Sequence, residues 1–187
     1  MSEAREYGDP ALPMTREEFY AWGEGRPGRY ERICGLVVAR APERLGHARA
    51  KANIWRLFRA AIATMGLSCE AIPEGLAIAV DESDYLPDCI VRCGDPLPDD
   101  VMAVPDPMIV VEVLSPSTAR YERATKFVEY FRVPSVRHYL IVWPDMPRVV
   151  HHRRINSGGV ETMTVTSGDI VLDPPGITIM VQDIYTA

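Results

Sequence analysis

The run Met108-Ile109-Val110-Val111-Glu112-Val113-Leu114 is the most constraining segment of the sequence. Its β-branched residues call for an extended strand, yet Glu112 stands inside it. A carboxylate in such a run is expensive to bury unless something cationic holds it. A second acid repeats the pattern, because Pro87-Asp88 opens the apolar run Cys89-Ile90-Val91. Two carboxylates on successive strand-like runs suggest a shared cation, and a hard divalent metal fits best. Taken singly, each acid would suit a solvated strand end equally well. The pair gains weight from Lys126, on the helical segment that follows.

The length of 187 residues predicts one domain over 14–187, behind a loose polar tail over 1–13 that does not read as a signal peptide. No apolar stretch approaches the ~18 residues a membrane span needs, so no membrane partner is expected. Cys34, Cys69, Cys89 and Cys93 are scattered, and nothing near Cys89-x3-Cys93 completes a zinc set. Reduced cysteines in a cytoplasmic protein are the expectation.

The net charge of -6 hides an asymmetry. From Arg26 to Arg59 nine bases face only Glu31 and Glu43; from Glu70 to Asp106 ten acids face only Arg92. Overall acidity argues against sequence-blind nucleic-acid binding, which rests on phosphate neutralisation. A cationic groove beside an acidic metal site fits the asymmetry, and so does mutual neutralisation of the two segments.

Thr15-Arg16-Glu17-Glu18 is a capping box, with Met14 and Phe19 placed as its hydrophobic staple, so a short helix is expected from Arg16 to Trp22. Tyr30 to Arg40 reads as a hairpin turning at Cys34-Gly35. From His47 to Met65, Ala50, Ile54, Leu57, Phe58, Ala61 and Ile62 recur at helical spacing, and Gly66 ends the helix. Strand-like runs follow at Leu67–Ile72, Leu76–Val80, Leu86–Val91 and Met108–Leu114, separated by Asp81-Glu82-Ser83-Asp84 and by a Pro-rich loop from Gly94 to Pro107. A helix is expected from Ser115-Pro116-Ser117-Thr118 through Phe131, then a strand over Arg137–Trp143 and weaker strands near 149–152, 160–165 and 177–181. The order predicts an α/β fold, with a mixed central β-sheet flanked by helices.

If the two acidic runs are neighbours, Asp88 and Glu112 can chelate one ion. Such an ion acidifies water and stabilises charge on phosphorus, and Lys126 is placed to supply an ammonium. A helical lysine standing alone would be read as solvated.

Tyr30-Glu31-Arg32-Ile33-Cys34-Gly35, Pro87-Asp88, Val111-Glu112-Val113-Leu114-Ser115-Pro116-Ser117-Thr118, Lys126 and Val136-Arg137-His138-Tyr139-Leu140-Ile141-Val142 follow one another in order. Over roughly Met14 to Arg153 the sequence resembles the Uma2 family, grouped with restriction endonucleases in the PD-(D/E)XK superfamily. The resemblance implies a restriction-endonuclease-like core, Mg2+ or Mn2+ as cofactor and DNA as substrate. It implies Asp88 and Glu112 as metal carboxylates and Lys126 as the catalytic lysine, moved from the position of Leu114 to the next helix. Glu31 matches a further acidic position of the family, and His47 a histidine at a helix start. His47 also falls on the apolar face with Ala50 and Ile54, so a structural role fits equally. The family usually carries Asp-Gly-Glu where this chain has Cys34-Gly35-Leu36.

The leading expectation is a metal-dependent DNA endonuclease that hydrolyses phosphodiester bonds, with Asp88, Glu112, Lys126 and Glu31 as catalytic residues and a homodimer as the working form. The alternative is a non-catalytic binding or assembly module that keeps the nuclease fold, favoured by the net acidity and the altered Cys34-Gly35-Leu36 segment. For Glu112→Gln, relief of repulsion with Asp88 is expected to stabilise the metal-free fold.

Overall fold

The computed structural model describes residues 12–114 and 120–186, with side chains of 120–123 left aside. The expected tail therefore lies almost wholly outside the described residues, as do the helix-start residues Ser115 to Thr118. Elements follow in the order α1 (Arg16–Gly23), β1 (Tyr30–Ile33), β2 (Leu36–Ala39), α2 (Leu45–Met65), β3 (Cys69–Pro73), β4 (Ile78–Val80), β5 (Ser83–Tyr85), β6 (Cys89–Cys93) and β7 (Pro107–Val113). Then come α3 (Arg120–Arg132), β8 (His138–Val142), β9 (Val149–Arg154), β10 (Val160–Val165), β11 (Asp169–Leu172), β12 (Ile177–Met180) and a 3-10 turn at Val181–Tyr185.

Local chemistry sets several boundaries. The capping box forms as its sequence requires: Thr15 Oγ1 accepts from the Glu18 N–H (3.2 Å) and Glu18 Oε2 accepts from the Thr15 N–H (2.8 Å). Met14, Phe19 and Trp22 bury together behind it. The β1–β2 hairpin turns on Cys34 (φ 51°) and Gly35 (φ 80°), both left-handed, as a two-residue turn matched to strand twist requires. Helix α2 ends at Gly66 in the left-handed region, φ 62° and ψ 33°.

A six-stranded sheet ordered β10-β9-β8-β7-β6-β3 forms the centre. It is mixed, because β7 and β8 run parallel and the other pairs antiparallel. A four-stranded sheet ordered β2-β1-β5-β4 and the β11–β12 hairpin complete the layers. Strand alternation divides the core. Val91, Ile109, Val111 and Val113 pack with Ile54, Phe58 and Ile62 of α2 and with β11 and β12. Ile90, Val110, Tyr139 and Ile141 pack on the other face with Tyr130 of α3 and with β4 and β5.

Two expectations are corrected. The acidic stretch read as a loop contains β5, where Asp84 lies opposite Arg32 of β1 and is fully buried. The Pro-rich loop is exposed over most of its length and is tied to the fold around Val104: Ala77 N–H donates to Met102 O and Val104 N–H to Ala77 O, and Val104 is buried. Cys69 and Cys93, opposite each other on β3 and β6, form a disulfide, whereas Cys34 and Cys89 are free. Among the described residues no helix is long and apolar enough to cross a membrane.

Candidate active site

Side chains from β1, β7, α2 and α3, with Asp88 just before β6, meet in one buried polar cluster. Glu112 is held at Oε1 by the Lys126 ammonium (2.9 Å) and the Tyr130 hydroxyl (2.7 Å), which sit one helical turn apart on α3. Lys126 also donates to Glu31 Oε1 (2.8 Å), which accepts the Leu86 N–H at 3.0 Å. The guanidinium of Arg40, just past β2, lies 3.4 Å from Glu31 Oε1 and 3.7 Å from Glu112 Oε2. Glu31, Glu112 and Lys126 are therefore brought together.

Asp88 is fixed to the same stretch of β7. Its N–H donates to Val111 O (2.9 Å), and its Oδ2 accepts from the Val113 N–H (2.6 Å). Alternation groups Asp88 with Ile90 and Glu112 with Val110, on the α3 side of the sheet. His47, in the first turn of α2, approaches from the strand ends. Its Nε2 is 2.7 Å from Val113 O and 3.8 Å from Asp88 Oδ2. Its Nδ1 is 3.2 Å from Glu43 Oε2, without a hydrogen bond.

Glu43 continues the cluster outward. It pairs with Lys51 (2.6 Å) and with Arg29; both bases also pair with Glu74, and Lys51 Nζ lies 3.8 Å from Asp88 Oδ1. Part of the basic segment thus neutralises part of the acidic one, as do Arg32 and Asp84. Arg44, at the N-cap of α2, and Arg49 and Arg56 within it instead stay exposed, with no acidic partner among the described residues.

The fields are uneven. Burial, reinforced by Glu112, raises the Asp88 carboxyl to about 6, against the pull of the Val113 N–H, His47 and Lys51. Burial alone would also raise Glu112, but Lys126 and then Arg40 hold it below the ordinary value. Burial would lower Lys126, but Glu112 and Glu31 raise it, so the ammonium stays charged. For Glu43 the same contest ends at about 2, because Lys51, His47 and Arg29 outweigh burial.

Buried polar atoms normally find partners. Here Asp88 Oδ1, Glu31 Oε2 and His47 Nδ1 are buried and have none. Glu43, His47 and Asp88 can each offer one ligand atom, all within 4.8 Å of one another, compact enough for one ion. Glu112 lies outside that group. Carboxylate and imidazole donors, with the Val113 carbonyl beside them, fit a divalent cation. The sequence reading left His47 undecided and did not select Glu43, Lys51, Arg40 or Tyr130. The usable signals were the i, i+4 spacing of Glu43 to His47 and of Lys126 to Tyr130.

This set of carboxylates, imidazole and lysine stands on a mixed sheet flanked by helices, and comparison with known proteins identifies the family. The profile of the Uma2 family, described as "Putative restriction endonuclease", matches residues 16–183, so the chain belongs to that family. The uncharacterized Synechocystis sp. protein sll1609 is 29% identical over 144 residues, covering 76% of this chain and 81% of that protein. A second uncharacterized Synechocystis sp. protein, slr1290, is 27% identical over 179 residues, covering 94% and 93%. A crystal structure of an Anabaena variabilis protein, titled a putative nuclease belonging to DUF820, superposes with TM-score 0.73 at 15% identity. It covers 92% of this chain and 98% of that one, and so shares the fold.

Proposed function

We propose that this protein is a divalent-metal-dependent endonuclease that hydrolyses phosphodiester bonds in DNA. The observation that carries the reading is the trio of buried atoms without a hydrogen bond, Asp88 Oδ1, Glu31 Oε2 and His47 Nδ1, in a cluster that also holds a charged lysine. Asp88, His47 and Glu43 would hold the ion. Glu112, whose Oε2 lies 3.7 Å from Arg40, would join them as a further metal carboxylate. When bound, the ion acidifies water and stabilises charge developing at phosphorus. Both Mg2+ and Mn2+ suit the carboxylates, and an imidazole ligand shifts the preference towards Mn2+.

The chain's own residues supply the rest. Lys126, charged and buried between Glu31 and Glu112, is an electrostatic clamp for the attacked phosphate rather than a base. Glu31 and Glu112 keep it charged and fix its direction, and the Tyr130 hydroxyl holds Glu112 in place. The exposed arginines of α2, whose first turn carries His47, offer contacts to the DNA backbone. A homodimer would match the two-fold relation of duplex strands, and the cytoplasm is the proposed setting.

Incubation with single- and double-stranded DNA in Mg2+ or Mn2+ tests the proposal. Wild type should cleave, and Glu112→Gln and Asp88→Asn should not, with both variants folded. Cleavage that survives in either variant refutes the assigned role. A wild type that neither cleaves nor gains thermal stability from metal is instead a binding module on the same fold. Light scattering that gives a monomer mass at high concentration would remove the dimer.

A further inference from the structure

A cavity of about 560 Å3 opens beside this site, between α1, the start of β1 and the turn joining β3 to β4. Its walls are mostly apolar, with the rings of Phe19, Tyr20 and Tyr30 together with Ala21, Leu86 and Met102. A volume of roughly 300–1,000 Å3 with apolar walls and few polar groups is the range of small-molecule sites. We infer that this cavity receives one unpaired nucleobase of the DNA strand whose phosphate lies at the metal site. The inference rests on the nuclease reading above and adds a substrate subsite to it.

Three observations support it. The first is connection. Leu86, in the cavity wall, donates its N–H to Glu31 Oε1 and stands two residues before Asp88. Glu74, also in the wall, pairs with Lys51, whose Nζ is 3.8 Å from Asp88 Oδ1. Two wall residues of the cavity are thus linked to the candidate ligands, one along the chain and one through Lys51.

The second is charge. Glu24 and Glu74 line the cavity, and its one basic lining residue, Arg29, is already paired with Glu43 and Glu74. An anionic group would gain little there, whereas a neutral ring would lose nothing. The third is ring chemistry. The Tyr20 hydroxyl is anchored on Asp84 and the Tyr30 hydroxyl on Pro27 O, so both rings are held by their edges. Fixed aromatic surfaces of this kind hold unpaired bases by stacking, without demanding one sequence. A base inside a duplex is out of reach, so the substrate must present it from a single strand or flip it out.

The test uses the full chain and a short labelled single-stranded oligodeoxynucleotide, intact or carrying one abasic position, with Mn2+ present. Binding is followed by fluorescence anisotropy, and metal-dependent thermal stabilisation is recorded in parallel. Ala21→Trp, which fills the cavity from α1, and Met102→Trp, which narrows it from its exposed rim, should each weaken binding by about tenfold, the size of one lost stacking contact. The abasic oligonucleotide should lose the same factor on wild type and nothing further on the variants. Metal-dependent stabilisation should be unchanged in both variants. Equal binding by wild type and the Met102→Trp variant, with metal stabilisation intact, overturns the subsite and leaves the metal centre standing. Absence of metal stabilisation in wild type instead overturns the nuclease reading beneath it. A blunt duplex bound as tightly as the single strand, with no cost from Ala21→Trp, also overturns the subsite.

Discussion

Two buried charge clusters sit within a few residues of each other in the sequence and differ in one respect. Around Asp84 both carboxylate oxygens are used. Oδ1 accepts from Arg16 Nε (2.7 Å) and the Tyr20 hydroxyl (3.0 Å), Oδ2 accepts from Arg32 Nε (2.6 Å), and Arg32 Nη1 reaches Met14 O at 3.1 Å. This cluster ties α1 to β1 and β5. In the cluster of Asp88, His47 and Glu31, by contrast, Asp88 Oδ1, His47 Nδ1 and Glu31 Oε2 are buried without a hydrogen bond. A closed cluster is what a structural ion pair needs, because a buried charge without partners is costly. An open one is retained at a cost that a ligand can relieve. The difference separates a fastening from a site, although both contain an aspartate buried on the same chain segment.

The largest effect should come from breaking the closed cluster. Asp84→Ala leaves Arg32 buried without its partner and should cost about 3–5 kcal/mol, seen as a large fall in the denaturant midpoint. A loss below 1 kcal/mol would mean that the cluster is not the fastening described.

The open cluster should respond with opposite signs at its two carboxylates, which corrects the gain expected for Glu112→Gln. Glu112 is held below its ordinary pKa by Lys126 and Arg40, so removing its charge should cost about 1.5–3 kcal/mol, the worth of hydrogen bonds to charged groups. Asp88 is raised to about 6, so Asp88→Asn should stabilise the metal-free protein near neutral pH, by about 1–2 kcal/mol. Equal signs in chemical denaturation would break the distinction between the two.

A smaller effect comes from a third polar pair, His138 and His151, buried and joined at 2.9 Å, with His138 Nε2 also 2.8 Å from Pro174 O. Burial brings both to about 4. The unfolded chain binds the extra protons between about 6.5 and 4, so stability is full above that window and falls as pH drops through it. Each histidine contributes up to about 1.4 kcal/mol per pH unit. Asp88 has the opposite sign over the same range, so the slope is best read as the difference between wild type and His151→Gln. Identical slopes would show that the pair does not titrate with folding.

Much of this was legible in the sequence because it rests on local rules. The capping box at Thr15, the Cys34-Gly35 turn and the α2 stripe are decided within a few residues, and the carboxylate in a β-branched run marked Glu112. Long-range pairings were not legible. Asp81 to Asp84 looks like an acidic loop until Arg32, from another strand, lies opposite Asp84 and makes its burial tolerable. The Cys69–Cys93 bond was hidden because only the β3–β6 register brings the two together. His47 stayed ambiguous because its periodicity is that of a core residue, and it is buried; its approach to Asp88 depends on where the start of β6 meets the start of α2.

The most direct test of the open cluster is titration calorimetry of Mn2+ into metal-free wild type, Asp88→Asn and Asp84→Asn, each confirmed folded. Wild type should bind one ion per chain, Asp88→Asn should lose that binding, and Asp84→Asn should keep it despite lower stability. No binding by wild type, or binding that survives Asp88→Asn unchanged, would contradict the assignment of the unpaired atoms around Asp88 to a metal.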